Sequence, residues 1–151
     1  KDNNLIQELD DNIKLLSKID EEIEIKLNKK SNKVIFKSDK EQLNRVFLNL
    51  IKNSIESIQQ KTENIRDYNK KISIDIEENS DHIMISMTDN GIGFEGFKDN
   101  IKEILHPYFT TKKNGTGLGL SIANKIVNDH NGKINFISLN DGAKVEIVFN
   151  K

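Results

Sequence analysis

One side of the segment from Leu43 to Ile58 is apolar and the other is not. Leu43, Val46, Phe47, Leu50, Ser54 and Ile58 fall at helical spacing and make one stripe, the clearest helix of the chain. A helix with a single apolar stripe must cover something. The other elements say what: Ile23, Ile25 and Leu27 alternate with charged residues, as do Ile72, Ile74 and Ile76, and then Ile83, Ile85 and Met87. Two more strands, near Ile134 to Ser138 and Lys144 to Phe149, flank an Asn140-Asp141-Gly142 turn. Strands with one dry face beside helices with one dry stripe stack in two layers. Because helices and strands mix without strict βαβ alternation, the expected class is α+β, a mixed sheet with helices on one face.

Leu5, Ile6, Leu9, Ile13 and Leu16 predict a further helix near the start. Val34-Ile35-Phe36 is expected to be the hairpin partner of the strand at Ile23 to Leu27. Ser38 or Asp39 caps the long helix, with Glu41 and Gln42 in its first turn. Gln59 to Lys70 is polar and reads as a connection. A helix from Leu118 to His130 is expected to end at Gly132 as a C-cap. Between Gly91 and Gly117 the periodicity is weak and Pro107 interrupts it, leaving room only for a short helix around Phe97 to Leu105. A connection this long in a compact domain is usually functional. The expectation is a lid over about 94–117.

At 151 residues the chain is read as one domain spanning 1–151, large enough for a single core. With 35% hydrophobic and 31% charged residues, no run approaches the ~20 apolar residues of a membrane-spanning helix. A net charge of −1 leaves no electrostatic footprint for nucleic acid. The absence of cysteine excludes a disulfide framework or thiolate zinc site and agrees with a cytosolic setting. The chain opens without Met or a leader pattern, as a piece of a longer protein would. His82, His106 and His130 have no partners at metal-ligand spacing and are expected to be surface or core residues.

Three local features carry chemistry. Asp89-Asn90-Gly91-Ile92-Gly93 ends an alternating strand, presenting one carboxylate followed by glycines that let backbone approach a ligand closely. Asp89 can accept a hydrogen bond from an exocyclic amine such as that of adenine, where guanine would place a carbonyl oxygen. Gly115-Thr116-Gly117-Leu118-Gly119-Leu120 opens a helix, whose N-terminal amides favour an anion such as phosphate. Asn49 and Asn53, at i and i+4, stack on one face of the long helix, near Gln42 and Glu56. Two neutral amide oxygens suit a Mg²⁺ already carried by a polyphosphate. Each feature also has a plainer reading: a simple turn, a flexible loop, and a solvated polar face in an Asn-rich chain.

In this order and spacing, the chain resembles the catalytic and ATP-binding domain of two-component sensor histidine kinases, in the Bergerat-fold superfamily shared with gyrase and Hsp90. Residues 39–58 resemble its N box, Asp89 to Phe94 its first glycine box, Pro107-Tyr108-Phe109-Thr110-Thr111-Lys112 its phenylalanine box, and Gly115 to Leu120 its second glycine box. His106 to Lys112 is most similar in wording to the nitrogen-regulation sensors. The resemblance covers about Leu5 to Phe149 and implies a two-layer sandwich with a long ATP lid. It implies ATP and Mg²⁺ as ligands, with Asn53 on the metal and Asn49 beside the phosphates. Asp89 would take the adenine amine, with Gly91, Ile92 and Gly93 shaping the pocket. Gly115, Thr116, Gly117, Leu118, Gly119 and Leu120 would cradle phosphates, and Lys112 would touch one.

The implied activity is transfer of the γ-phosphoryl group to a histidine on a separate dimerisation domain of the same parent, with a response regulator downstream. The phosphoacceptor box is missing from this chain, so the domain should be inactive alone, and monomeric. Gyrase-like relatives carry a glutamate where Asn49 stands; asparagine cannot take a proton from water, which favours a kinase over an ATP-driven clamp. Where many relatives have a threonine at the start of the last strand, this chain has Ala143-Lys144-Val145. An anti-sigma-type serine kinase and a nucleotide-sensing domain are the alternatives on the same fold. The parent's anchoring to a membrane stays open.

Overall fold

The computed structural model describes residues 1–65, 67–93 and 119–151. Its elements run β1 (Asp2–Asn4), α1 (Leu5–Leu16), β2 (Glu24–Lys29), β3 (Ile35–Lys37), α2 (Lys40–Thr62), β4 (Lys71–Glu78), β5 (His82–Asp89), α3 (Gly119–Asp129), β6 (Gly132–Leu139) and β7 (Gly142–Asn150). The main sheet has the order β2-β4-β5-β7-β6; β2 runs parallel to β4 and the other pairs are antiparallel. This is the mixed, α+β architecture that the alternation predicts.

The helices share one face of that sheet. Leu43, Val46, Phe47, Ile51 and Ile58 of α2 are fully buried, as are Ile74, Ile83, Ile85, Ile147 and Phe149 of the strands and Ala123 and Val127 of α3. Asp39 caps α2, its side chain accepting from the Gln42 N–H at 3.1 Å, with Glu41 in the first turn and Lys61 in the last. Ser38, the other candidate cap, is buried and held by Asn3 and by the Phe36 carbonyl.

Two expectations are corrected. Residues 34–36 do not form a hairpin with β2. Instead β3 pairs antiparallel with β1, Asn3 opposite Phe36, while β2 lies beside β4. Parallel partners need a long crossover, which α2 supplies. Val34 and Phe36 stay buried in this arrangement, with the Phe36 ring 4.7 Å from that of Phe149. Nor is Gly132 the C-cap of α3. Asn131 takes the left-handed conformation there, φ 61°, and Gly132 begins β6. Gly132 is required by space instead: a Cβ would lie 2.8 Å from the Phe149 ring and the Val148 carbonyl.

Helices α2 and α3 are antiparallel and joined at both ends. Gly119 at the start of α3 lies against Asn49, a Cβ there falling 3.8 Å from the Asn49 Cγ. At the other end His130 accepts the Asp39 N–H on Nε2 at 3.1 Å, while its Nδ1 lies 2.8 Å from the Ile126 carbonyl. His130 is therefore a structural link, and His82 opens β5 beside Asn79.

Candidate functional site

β5 carries Met87 and Asp89 to the same side as the helices, so the last residue of the strand meets the middle of α2. Asp89 pairs with Ile72 on one side and Ala143 on the other, and is 7% exposed. Burial pushes its carboxyl up from the usual carboxylate range; the Gly91 N–H, the Ser54 hydroxyl, the Ala143 backbone and the Lys61 charge pull the other way. The Gly91 N–H donates to Asp89 Oδ1 at 2.9 Å. A buried carboxylate ringed by donors is an acceptor held in one orientation.

Around it the backbone packs more closely than side chains would allow. A Cβ on Gly91 would collide with Ser57, one on Gly142 with the Asp89 carbonyl, and one on Gly93 with the Gly142 carbonyl. Gly93 also has φ +69°. Ile92 follows the turn, its N–H donating to Ser57 Oγ at 3.0 Å with its side chain exposed. This cradle joins the end of β5, the start of β7 and the second half of α2.

Asn49 and Asn53 stand half-buried on α2, one turn apart, with Ser54 and Ser57 continuing toward Asp89. Glu56 is half-buried, whereas Gln42 is exposed in the first turn, about 10 Å along the helix from Asn49. Gly119 and Leu120 open α3 beside Asn49, where the positive end of a helix dipole favours an anion. Lys112, Gly115, Thr116, Gly117 and Leu118, the lid and His106 lie outside the described residues. Among the described residues no cluster of three or more His, Asp and Glu gathers in the manner of a metal site. Asn49 and Asn53 themselves offer neutral amide oxygens, which fit a cation whose charge is met by phosphates.

The described residues thus gather a buried carboxylate, Asp89, at one end of this stretch of α2, and two amides, Asn49 and Asn53, with Gly119 at the other. Asp89, Gly91, Gly93 and both asparagines stand out in the sequence as candidates, whereas Ser54 reads there as part of the apolar stripe, Gly142 as part of a hairpin turn, and Ser57 is unmarked. Hydroxyls one and four residues after Asn53 were the available signal for the serines. A concavity of about 570 Å³, lined by Lys1, Lys37, Asp39, Lys40 and His130 among others, lies at the far end of α2, away from these residues.

Residues 38–151 match the family model described as histidine kinase-, DNA gyrase B-, and HSP90-like ATPase. The chain is 36% identical over 118 residues to the sensor histidine kinase ZraS of Escherichia coli O157:H7, covering 78% of this chain and 24% of that protein. It is 35% identical over 115 residues to a putative NtrY-like sensor histidine kinase of Rickettsia conorii, covering 76% and 18%. The chain thus spans a quarter or less of the curated relatives it matches here. In structure it is similar to the catalytic domain of histidine kinase ThkA in a nucleotide-free form, with a TM-score of 0.84 and 26% identity over 100% of this chain and 95% of the other. ThkA has also been solved in complex with the response regulator protein TrrA.

Proposed function

The chain belongs to the family of histidine kinase-, DNA gyrase B- and HSP90-like ATPases, and from that premise we propose that it binds Mg-ATP and passes the γ-phosphoryl group to a histidine on a separate dimerisation domain. The observation that carries the reading is Asp89: a buried carboxylate at a strand end, oriented by Gly91, Ser54 and Ala143, in a cradle kept open by Gly91, Gly93 and Gly142. Such an acceptor takes the amine of adenine and disfavours the carbonyl of guanine. Asn53 would supply an oxygen to Mg²⁺ and Asn49 would stand beside the phosphates. Gly115 to Leu120 and Lys112 would close the phosphate end. When bound, Mg²⁺ neutralises charge on the β- and γ-phosphoryl oxygens.

No strong base is needed, because a neutral imidazole is already a nucleophile; the domain positions and neutralises. Asn49 cannot take a proton from water, so loss of phosphate to hydrolysis is slow. We read residues 1–151 as one catalytic domain of a cytoplasmic part of a larger sensor, whose dimerisation domain supplies the acceptor histidine. A response regulator is its downstream partner, in keeping with ThkA being solved with one.

The test is transfer in trans. Alone, the chain should bind ATP and leave His82, His106 and His130 unphosphorylated. With the dimerisation domain of its own parent, phosphate should appear on histidine, slowly because tethering is lost. The product should be acid-labile and base-stable. Strong self-labelling on histidine, or transfer only to serine or threonine, would overturn the assignment.

A further inference from the structure

The turn that carries Asp89 is held from outside. Asn90 continues the β4–β5 ladder past the end of the strand: its Oδ1 accepts the Lys71 N–H at 2.9 Å, and its Nδ2 donates to the Asn69 carbonyl. Its own carbonyl points away from the sheet toward the last turn of α2. There Lys61 Nζ donates to it at 3.0 Å. A carbonyl at that place has no strand neighbour, so without a side-chain donor it turns to water. Lys61 is itself confined. Its ammonium lies 4.7 Å from the centroid of the Tyr68 ring, and the Tyr68 hydroxyl donates to the Ile58 carbonyl at 3.1 Å, tying the ring back to α2. Lys61, Tyr68 and Asn69 all belong to the end of α2 and the connection that follows it, outside any motif of the site.

We propose that Lys61 is a positioning residue for base recognition: by donating to the Asn90 carbonyl while resting on Tyr68, it fixes the turn whose Gly91 N–H orients the Asp89 carboxylate. Positions 90 and 91 follow one another, so rotation of the Asn90 carbonyl moves the Gly91 amide with it, through the planar peptide that contains both. The amide that orients Asp89 and the carbonyl that Lys61 holds are two ends of one rigid unit. A charge-assisted bond to that carbonyl is stronger than a neutral one. The inference rests on Asp89 as the adenine acceptor.

The experiment compares Lys61→Met, Lys61→Arg and Asp89→Asn with the unaltered chain, titrating ATP and GTP by competition against a fluorescent nucleotide. Lys61→Met should weaken ATP about tenfold, an effect the size of one hydrogen bond felt through the turn. GTP, which gains nothing from the acceptor, should change little, so the ATP-to-GTP preference falls by the same factor. Lys61→Arg, which keeps charge and donor, should restore most of both. A general loosening of the site would instead lower both nucleotides together. If Lys61→Met keeps the preference, or loses ATP and GTP alike, the positioning role is overturned while a loss in Asp89→Asn leaves the adenine reading standing. If Asp89→Asn itself keeps ATP affinity and preference, the adenine reading fails, and the role of Lys61 with it. Should Lys61→Met not fold, Lys61→Gln, with a neutral donor too short to reach, serves the same comparison.

Discussion

Two carboxylates are buried among the described residues, and they are buried differently. Asp89, 7% exposed, is surrounded by donors: the Gly91 N–H, the Ser54 hydroxyl, the Ala143 backbone and, farther off, the Lys61 charge. Glu8 of α1, 2% exposed, has no hydrogen-bond partner on either oxygen among the described residues. An amide one turn on, Asn12 Nδ2, donates instead to the Glu8 backbone carbonyl at 2.8 Å and to Asn44 Oδ1 at 3.2 Å. Burial raises the Glu8 carboxyl to about 7, against the pull of Lys40 and with a push from Asp11. Burial raises Asp89 too, but every other group near it favours the charge. Depth is therefore common to the two, and the ring of donors belongs to Asp89 alone of the pair.

The sharpest way to break this contrast is to remove the charge at Asp89. Asp89→Asn replaces an acceptor by an amide that presents a donor toward the adenine amine. We expect ATP affinity to fall roughly 30- to 1000-fold, ~2–4 kcal/mol, with the melting temperature unchanged or slightly raised, because a buried charge is removed. Calorimetric titration beside a melting curve measures both. Unaltered affinity on an unaltered fold would reduce Asp89 to a turn residue.

The same substitution at Glu8 should do the reverse, leaving ATP affinity alone and changing stability. The folded pKa lies above the ordinary 4.5, so the folded state binds the proton more tightly than the unfolded state. Stability is then greatest below pH 4.5 and declines as pH rises through about 7. Glu8→Gln removes that titration. It should match the unaltered protein at low pH and exceed it at pH ~8, by up to about 3 kcal/mol. Denaturant melts across that range test the sign. A constant gap, or none, would mean that Glu8 reaches water.

The sequence spoke clearly wherever a signal is local. Periodicity marked α1, α2 and the strands of the main sheet, and a carboxylate between an alternating strand and two glycines marked Asp89. Pairing is not local. Ile25 and Leu27 alternate identically whether β2 meets β3 or β4, and the crossover that decides it is spread over forty residues of chain. Side chains whose meaning comes from their neighbours were illegible for the same reason. Lys61 looks like a solvated residue of a polar connection, and Asn90 like one more residue of a turn, until the fold brings them together. Glu8 reads as a surface glutamate, although its place three residues after Leu5 and four before Asn12 sets it on the buried side of α1. Ser54 sits in the apolar stripe because the Asp89 carboxylate meets the stripe there, not because it is apolar.

The proposed phosphate end extends the contrast, since Asn49 and Asn53 are neutral amides where the proposed base end has a carboxylate. Asn53 is half-buried one turn after Asn49, on the face of α2 toward which Gly119 opens α3. A carboxylate there would attract the metal and repel the phosphates; an amide oxygen does the first weakly and the second not at all. Asn53→Ala should therefore weaken Mg-ATP about tenfold, the smallest of these effects, because the phosphates and water supply the remaining ligands of the ion. Metal-free ATP should lose little. Asp89→Asn, by contrast, should lose the same factor with and without Mg²⁺, since the base end does not touch the ion. Titrating both variants in magnesium and in chelator separates the two ends in one experiment. If Asn53→Ala loses equally in both conditions, its side chain contacts the nucleotide rather than the metal. If Asp89→Asn becomes sensitive to magnesium, the site does not divide into a charged base end and a neutral phosphate end.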